Sequence, residues 1–338
     1  MKYSIAALAL LTCACGEITN EDLVFLAAIP SAEELEIIVE DDQTQAVAGL
    51  VQQTQLGEVS EIYLVLDQVA DDVNFQVESI LEFANSLFRA SSPSAREEDR
   101  RIWQAPLNDT TLARLEISRV SQAGTAPVYT FCLHGILRAT PRTGDPVCVN
   151  DRAVTDGSNG WRAVFYGEFA PDNAMEGIRS GTGSITLDFE AGRPVGLADP
   201  GDDGRLAIDY TIESGSDRRD LSLFLTPPES PLPGKDTFVW EYALDENDDV
   251  SFVLEIDENA ENTNEQVREL LVIDSCWNLN GPGRADLSFT MGDIPPTSTV
   301  AALECWDTSQ IRTFQRFQVG DTIFSAGEAS SCPAACAQ

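Results

Sequence analysis

The chain has 338 residues, 43% of them hydrophobic, enough for one large domain or two small ones. Acids outnumber bases 56 to 21, a net charge of −35. That balance excludes a nucleic-acid partner, whose phosphates would be repelled, and excludes charge-driven adhesion to anionic lipid. Only Lys2 and Lys235 are lysines, so nearly all positive charge is arginine.

The first residues read as an address. Lys2 precedes an apolar run, Ile5 to Leu11, too short to span a bilayer but fitting the core of a secretory signal. The run ends in Leu10-Leu-Thr-Cys13-Ala-Cys15-Gly16, with cysteines where a lipoprotein precursor is cut and acylated. Cys13 has Leu10 three residues upstream but Thr12 directly before it. Cys15 lies between the small residues Ala14 and Gly16. Parity favours Cys15: it leaves Cys132, Cys148, Cys276, Cys305, Cys332 and Cys336, an even set suited to disulfides in an oxidising compartment. Proximity in sequence suggests the pairs 132–148, 276–305 and 332–336. The expected organisation is a signal peptide over 1–14, a lipid anchor and tether over 15–22, a helical region over 23–101, an antiparallel β domain over 102–325 and a cysteine-bearing tail over 326–338. The anchor would make the membrane a partner of the chain.

In the helical region, Glu21 to Ile29 reads as a short helix stopped by Pro30. Ser31 can cap a second helix through Glu40, although Leu35 to Val39 also reads as a strand. Gln43 to Leu56 reads as helical. From Ser60 to Ala90, Ile62, Leu66, Val69, Val73, Val77, Ile80, Ala84 and Leu87 recur at intervals of three and four, which is helical spacing. A second row adds Leu64, Phe75, Leu81 and Phe88. Such a helix reaches roughly 45 Å and could cross the face of a broad sheet.

Ser91 to Arg101 is charged and reads as a connection. Beyond it the period becomes two, first at Leu112 to Val120 and last at Ile311 to Val319, with short linkers rich in Gly, Asp, Asn and Pro. Few linkers leave room for a crossover helix. The expected fold is α+β: helices, one of them long and amphipathic, packed on a large curved antiparallel meander, either half-barrel or barrel.

No motif carries recognisable chemistry. His134 is the sole histidine and lies within a strand pattern beside Cys132, so no Ser-His-acid set is legible. Lys235 sits in a turn-like Pro-Gly-Lys-Asp, and Gly181-Thr-Gly-Ser184 lacks the third glycine of a dinucleotide loop. The acidic runs 199–204, 245–249 and 257–265 do not fit a calcium-binding EF loop: Ile256 and Arg268 fall at the last ligand position. No cofactor or metal is therefore expected. Trp161, Phe165, Trp240, Tyr242 and Phe252 are candidates to line an apolar cavity between helix and sheet, or to fill it. Two functional classes follow: a non-enzymatic binding or envelope-structural lipoprotein, and a secreted hydrolase built on carboxylates, with or without calcium.

Two phrases, Phe25-Leu-Ala-Ala-Ile-Pro30 and Arg101-Ile-Trp-Gln-Ala-Pro106, together with the organisation around them, resemble uncharacterised exported lipoproteins of myxobacterial-type bacteria. The resemblance implies an exported lipoprotein, and a separate likeness to bacterial lipoproteins in general, Gly16 and Glu17 after Cys15 with no aspartate in the second position, implies transfer to the outer membrane. Neither brings an activity. The helix-on-sheet pattern also resembles the half-barrel of periplasmic lipoprotein carriers, at the level of fold alone.

Overall fold

The computed structural model describes residues 18–39, 56–89, 91–120, 126–141, 144, 146, 148, 160–172, 180–196, 204–213, 218–226, 237–258, 269–290 and 300–336. The anchor, the two N-terminal cysteines and the expected helix at 43–56 (residue 56 apart) lie outside these residues.

Among the described residues two helices precede the sheet, α1 (Asn20–Leu26) and α2 (Glu61–Arg89). Thr19 closes a capping box on α1: its hydroxyl accepts from the Asp22 amide at 3.2 Å, and the Asp22 carboxylate accepts from the Thr19 amide at 2.9 Å. The segment expected as a second helix or a strand is instead a turn over 32–35 followed by chain without regular secondary structure through 39. Asn74 of α2 explains why it stays put. Its side-chain amide donates to the Ile37 carbonyl and accepts from the Ile37 amide, both at 2.8 Å, replacing a backbone partner.

Then come β1 (Ala95–Glu97), β2 (Arg100–Pro106), β3 (Thr111–Val120), β4 (Val128–Leu137), β5 (Arg162–Pro171) and β6 (Gly181–Asp188). A four-residue helix, α3 (Phe189–Gly192), precedes β7 (Arg205–Ile212), β8 (Arg219–Thr226), β9 (Thr237–Leu244) and β10 (Asp249–Glu258). The remainder are β11 (Glu269–Asn278), β12 (Gly283–Thr290), β13 (Val300–Trp306), β14 (Arg312–Val319) and β15 (Thr322–Gly327). All fifteen form one antiparallel sheet in strict chain order, so each strand pairs with its sequence neighbours and the fold is a meander. The sheet is not closed; β1 and β15 are its two edges.

Alternation gives the sheet two faces. One carries Leu115, Phe131, Phe165, Ile185, Ile208, Leu223, Trp240, Phe252, Ile273 and Trp306, which belong to a single buried cluster with Leu66, Val77, Leu81 and Phe88 of α2. Phe75, expected in an apolar row of that helix, is instead 63% exposed. Glycines seat the largest rings on the same face. A Cβ at Gly183 would lie 2.4 Å from the Tyr210 ring, and one at Gly283 would lie 2.3 Å from Trp306. Neither position tolerates a side chain without moving its aromatic neighbour.

The N-terminus of α2 is tied to the C-terminal strands. Ser60, wholly buried, donates from its hydroxyl to Glu304 at 2.7 Å and accepts from the Tyr63 amide at 3.3 Å. Arg312 pairs with Glu304 at 3.2 Å and donates to the Val59 carbonyl at 3.2 Å. At the other end, the Trp103 indole of β2 donates to the Ser91 carbonyl just past the helix, at 3.1 Å. The helix therefore links opposite ends of the sheet. Among the described residues no helix is long and apolar enough to cross a membrane.

Among the described residues three disulfides are present, and they correct two of the expected pairs. Cys132 joins Cys148, as proximity suggests, but Cys276 joins Cys336 and Cys305 joins Cys332. The reason is the sheet. Cys276 and Cys305 share one lateral row, but Arg284 of β12 lies between them. Two strand spacings put their backbones roughly 10 Å apart, beyond disulfide reach. The tail over 328–336 instead lies on the face away from α2 and bonds to each in turn, packing Cys332 against Leu303, Cys305 and Phe314.

Candidate functional site

The face turned away from α2 holds a groove of about 630 Å³ across β5 to β10. Its carboxylates and hydroxyls come from the polar phase of the strand alternation, with Ala170, Ala243 and Val253 beside them. Register aligns Glu168, Ser184, Asp209, Ser222 and Glu241 in one lateral row, an acid and a serine on successive strands. The next row contributes Thr182, Thr211 and Asp220, with Ser251 beyond them. Acids within the first row stand two strands apart, roughly 10 Å between backbones. Asp220 is diagonal to both Asp209 and Glu241, roughly 7 to 8 Å away. Asp209 and Glu241 are exposed to water. The groove thus offers spaced carboxylates and hydroxyls to a polar or cationic ligand.

Neighbouring β3 and β4 carry polar groups that are buried. Arg114 and His134 are register partners, and Arg114 pairs with Glu116 at 3.1 Å. Arg114, Glu116 and His134 are all 5% exposed or less, although the alternation marks them as a polar face. The β4–β5 connection lies against them: Cys148 bonds Cys132, and Gly144 accepts from the Trp161 indole at 3.2 Å. Burial, helped by the Arg114 guanidinium, lowers the His134 pKa to about 4, so this imidazole is neutral at ordinary pH. With Arg114 as its register partner and no nucleophile aligned with it in the β3–β4 register, His134 serves the packing of this face.

The five aromatic candidates do not come together. Phe165, Trp240, Tyr242 and Phe252 belong to the core cluster beside α2. Trp161 is buried outside that cluster, against the β4–β5 connection. Tyr242 anchors the N-terminal segment through its hydroxyl, which accepts from the Ile38 amide at 3.3 Å. Burial raises its pKa to about 12 despite that bond.

Of the acidic runs, 245–249 is fully described, and it is a turn that satisfies itself. Asp245 accepts from the amides of Asn247 at 2.8 Å and Asp249 at 3.0 Å, and the hydrogen bond from the Asn247 side chain leads in lowering its pKa. Gly204 of the first run and Asp257 and Glu258 of the third are described; the remainder of both lies outside. Among the described residues, no group of three or more His, Cys, Asp or Glu side chains is placed to hold a metal ion. Lys235 also lies outside the described residues.

The groove was legible in part. Alternation marks Glu168, Asp209 and Glu241 as outward, but only strand register shows that they share a row. No protein-family model, curated protein or solved structure was found to match this chain.

Proposed function

We propose that the protein is an exported, outer-membrane-anchored lipoprotein with a non-enzymatic binding or envelope-structural role, and that the groove across β5–β10 is its binding surface. The observation that carries this reading is the groove: a water-exposed trough of alternating carboxylates and hydroxyls on a sheet braced by disulfides. Three disulfides are what an oxidising, exported setting leads one to expect. The N-terminal signal and Cys15 supply the anchor.

The sheet-and-helix layer is the scaffold, and we read it as a half-barrel arched over a long amphipathic helix. Geometry supports the arch. The 29 residues of α2 measure roughly 43 Å, whereas the sheet from β2 to β14 runs roughly 58 Å along its strand-to-strand direction. A straight helix can link both ends of that arc only if the sheet bends. The groove is preferred to the helix–sheet interface as the binding surface because Phe165, Trp240, Tyr242 and Phe252 pack within the core cluster.

Replacing Cys15 by serine tests the anchor. Wild type should sediment with outer membranes and the variant should become soluble; equal sedimentation would contradict the anchor. Native mass spectrometry tests the choice of surface. The mature protein should carry no apolar ligand, and a stoichiometric bound lipid would move the site to the helix–sheet interface.

A further inference from the structure

The two edges of the sheet are built differently. β1 is three residues long, Ala-Arg-Glu, a short and charged edge of the kind that resists further pairing. β15 is twice as long, Thr-Ile-Phe-Ser-Ala-Gly, with no charge and no proline. Its hairpin concentrates exposed apolar side chains: Phe317 at 44%, Val319 at 42%, Ile323 at 59% and Phe324 at 62%. Ile323 lies on one face of the sheet and Phe324 on the other.

The hairpin turn fixes which backbone groups are available. Val319 pairs with Thr322 across the two-residue turn Gly320-Asp321. The closing pair of such a turn is hydrogen-bonded, so Thr322, Phe324 and Ala326 face β14. Ile323 and Ser325 then turn their N–H and C=O groups outward. Among the described residues no strand lies beyond them.

We propose that β15 is a docking edge that takes one more antiparallel strand from another protein: an extended segment with alternating apolar residues and basic residues at both ends. Charge selects this occupant. The chain carries −35 overall, and exposed Asp321 and Glu328 bracket the edge. Roughly 23 Å of extended chain separates them, matching a segment of about seven residues. A second copy of this chain fits less well. Antiparallel self-pairing centred on β15 sets Asp321 of one copy against Glu328 of the other, on top of the repulsion between two strongly acidic bodies. In the proposed complex Ile323 and Phe324 are covered from both faces, and Ile323 and Ser325 supply the backbone bonds.

The probe is a labelled synthetic peptide of alternating valine and threonine with two lysines at each end, measured by fluorescence anisotropy on the full mature chain. Binding should weaken as salt rises, and the same peptide with glutamate ends should not bind. Ser325→Pro removes one outward N–H without touching the β14 ladder, so the fold should persist while binding falls roughly tenfold or more. Ile323→Lys is the second variant; it places a repelling charge on the edge and should have the same effect. Absence of binding to the lysine-ended peptide, or unchanged binding by both variants, would overturn the proposal. A concentration-dependent dimer in light scattering that Ser325→Pro abolishes would also overturn it, by assigning the edge to a second copy.

Discussion

The two ends of the sheet are secured by different physics. At the N-terminal end, wholly buried Asp22 accepts charge-assisted bonds from Arg96 at 2.9 Å and Arg101 at 3.0 Å, while Arg101 and Arg119 lie over the Phe25 ring at 4.6 and 5.4 Å. Non-covalent pairs hold α1 there. At the C-terminal end, Cys276–Cys336 and Cys305–Cys332 fasten the tail covalently to β11 and β13. The first device responds to pH and the second to redox state. The N-terminal edge is short and tied to α1 through Arg96 and Asp22, whereas the C-terminal tail lies on one face and leaves β15 exposed.

The largest expected effect comes from breaking the covalent end. Replacing both Cys276 and Cys336 by alanine opens a loop of 60 residues and should cost about 4 kcal/mol, read by denaturant unfolding. Replacing Cys305 and Cys332, which close 27 residues, should cost slightly less. An N-terminal variant comes next. Asp22→Ala removes the capping box of α1 and the carboxylate shared by Arg96 and Arg101, leaving Arg101 paired with Glu21 alone at 2.7 Å, and should cost about 3 kcal/mol at neutral pH. Reduction by a thiol should leave that cost unchanged if the two ends are independent.

Acid should loosen the molecule in two stages. His134 has a folded pKa near 4, below its ordinary 6.5, so the unfolded chain takes up this proton first. Stability should fall by about 3 kcal/mol as pH drops from 6.5 to 4, and His134→Gln should flatten that slope. Burial alone would raise the Asp22 pKa, but the bonds from Arg96, Thr19 and Arg101 override it and bring it to about 2. Its stabilisation is therefore present above pH 4 and lost between about 4 and 2, worth about 2 kcal/mol. A smaller effect is expected at the helix start: Ser60→Ala removes a cap and a bond to Glu304, costing about 1 to 2 kcal/mol in thermal unfolding. Smallest of all, Glu241→Gln in the open groove should shift stability by less than about 0.5 kcal/mol, because the side chain is exposed.

Sequence periodicity carries the meander but not its edges. Strands such as β4 and β7 are legible because one face is apolar and the other polar. β2 is hidden because it opens with Arg100 and Arg101, which read as a solvated connection until Asp22 and Glu97 are seen pairing with them. β15 is hidden because it is short and follows a two-residue turn. Two of the three disulfide pairs were illegible for a geometric reason. Neighbours in sequence are not neighbours in a sheet where β12 separates Cys276 from Cys305. The groove needed the same information, since its row of acids and serines exists only through register.

The most direct test of the proposal that this disulfide-braced protein is exported and lipid-anchored is the intact mass of the mature chain with a count of free thiols before reduction. The expected result is a chain beginning at an acylated Cys15, with no free thiol and six released on reduction, matching the three disulfides. A chain beginning at Cys13, an unacylated start, or free thiols in the native protein would contradict it.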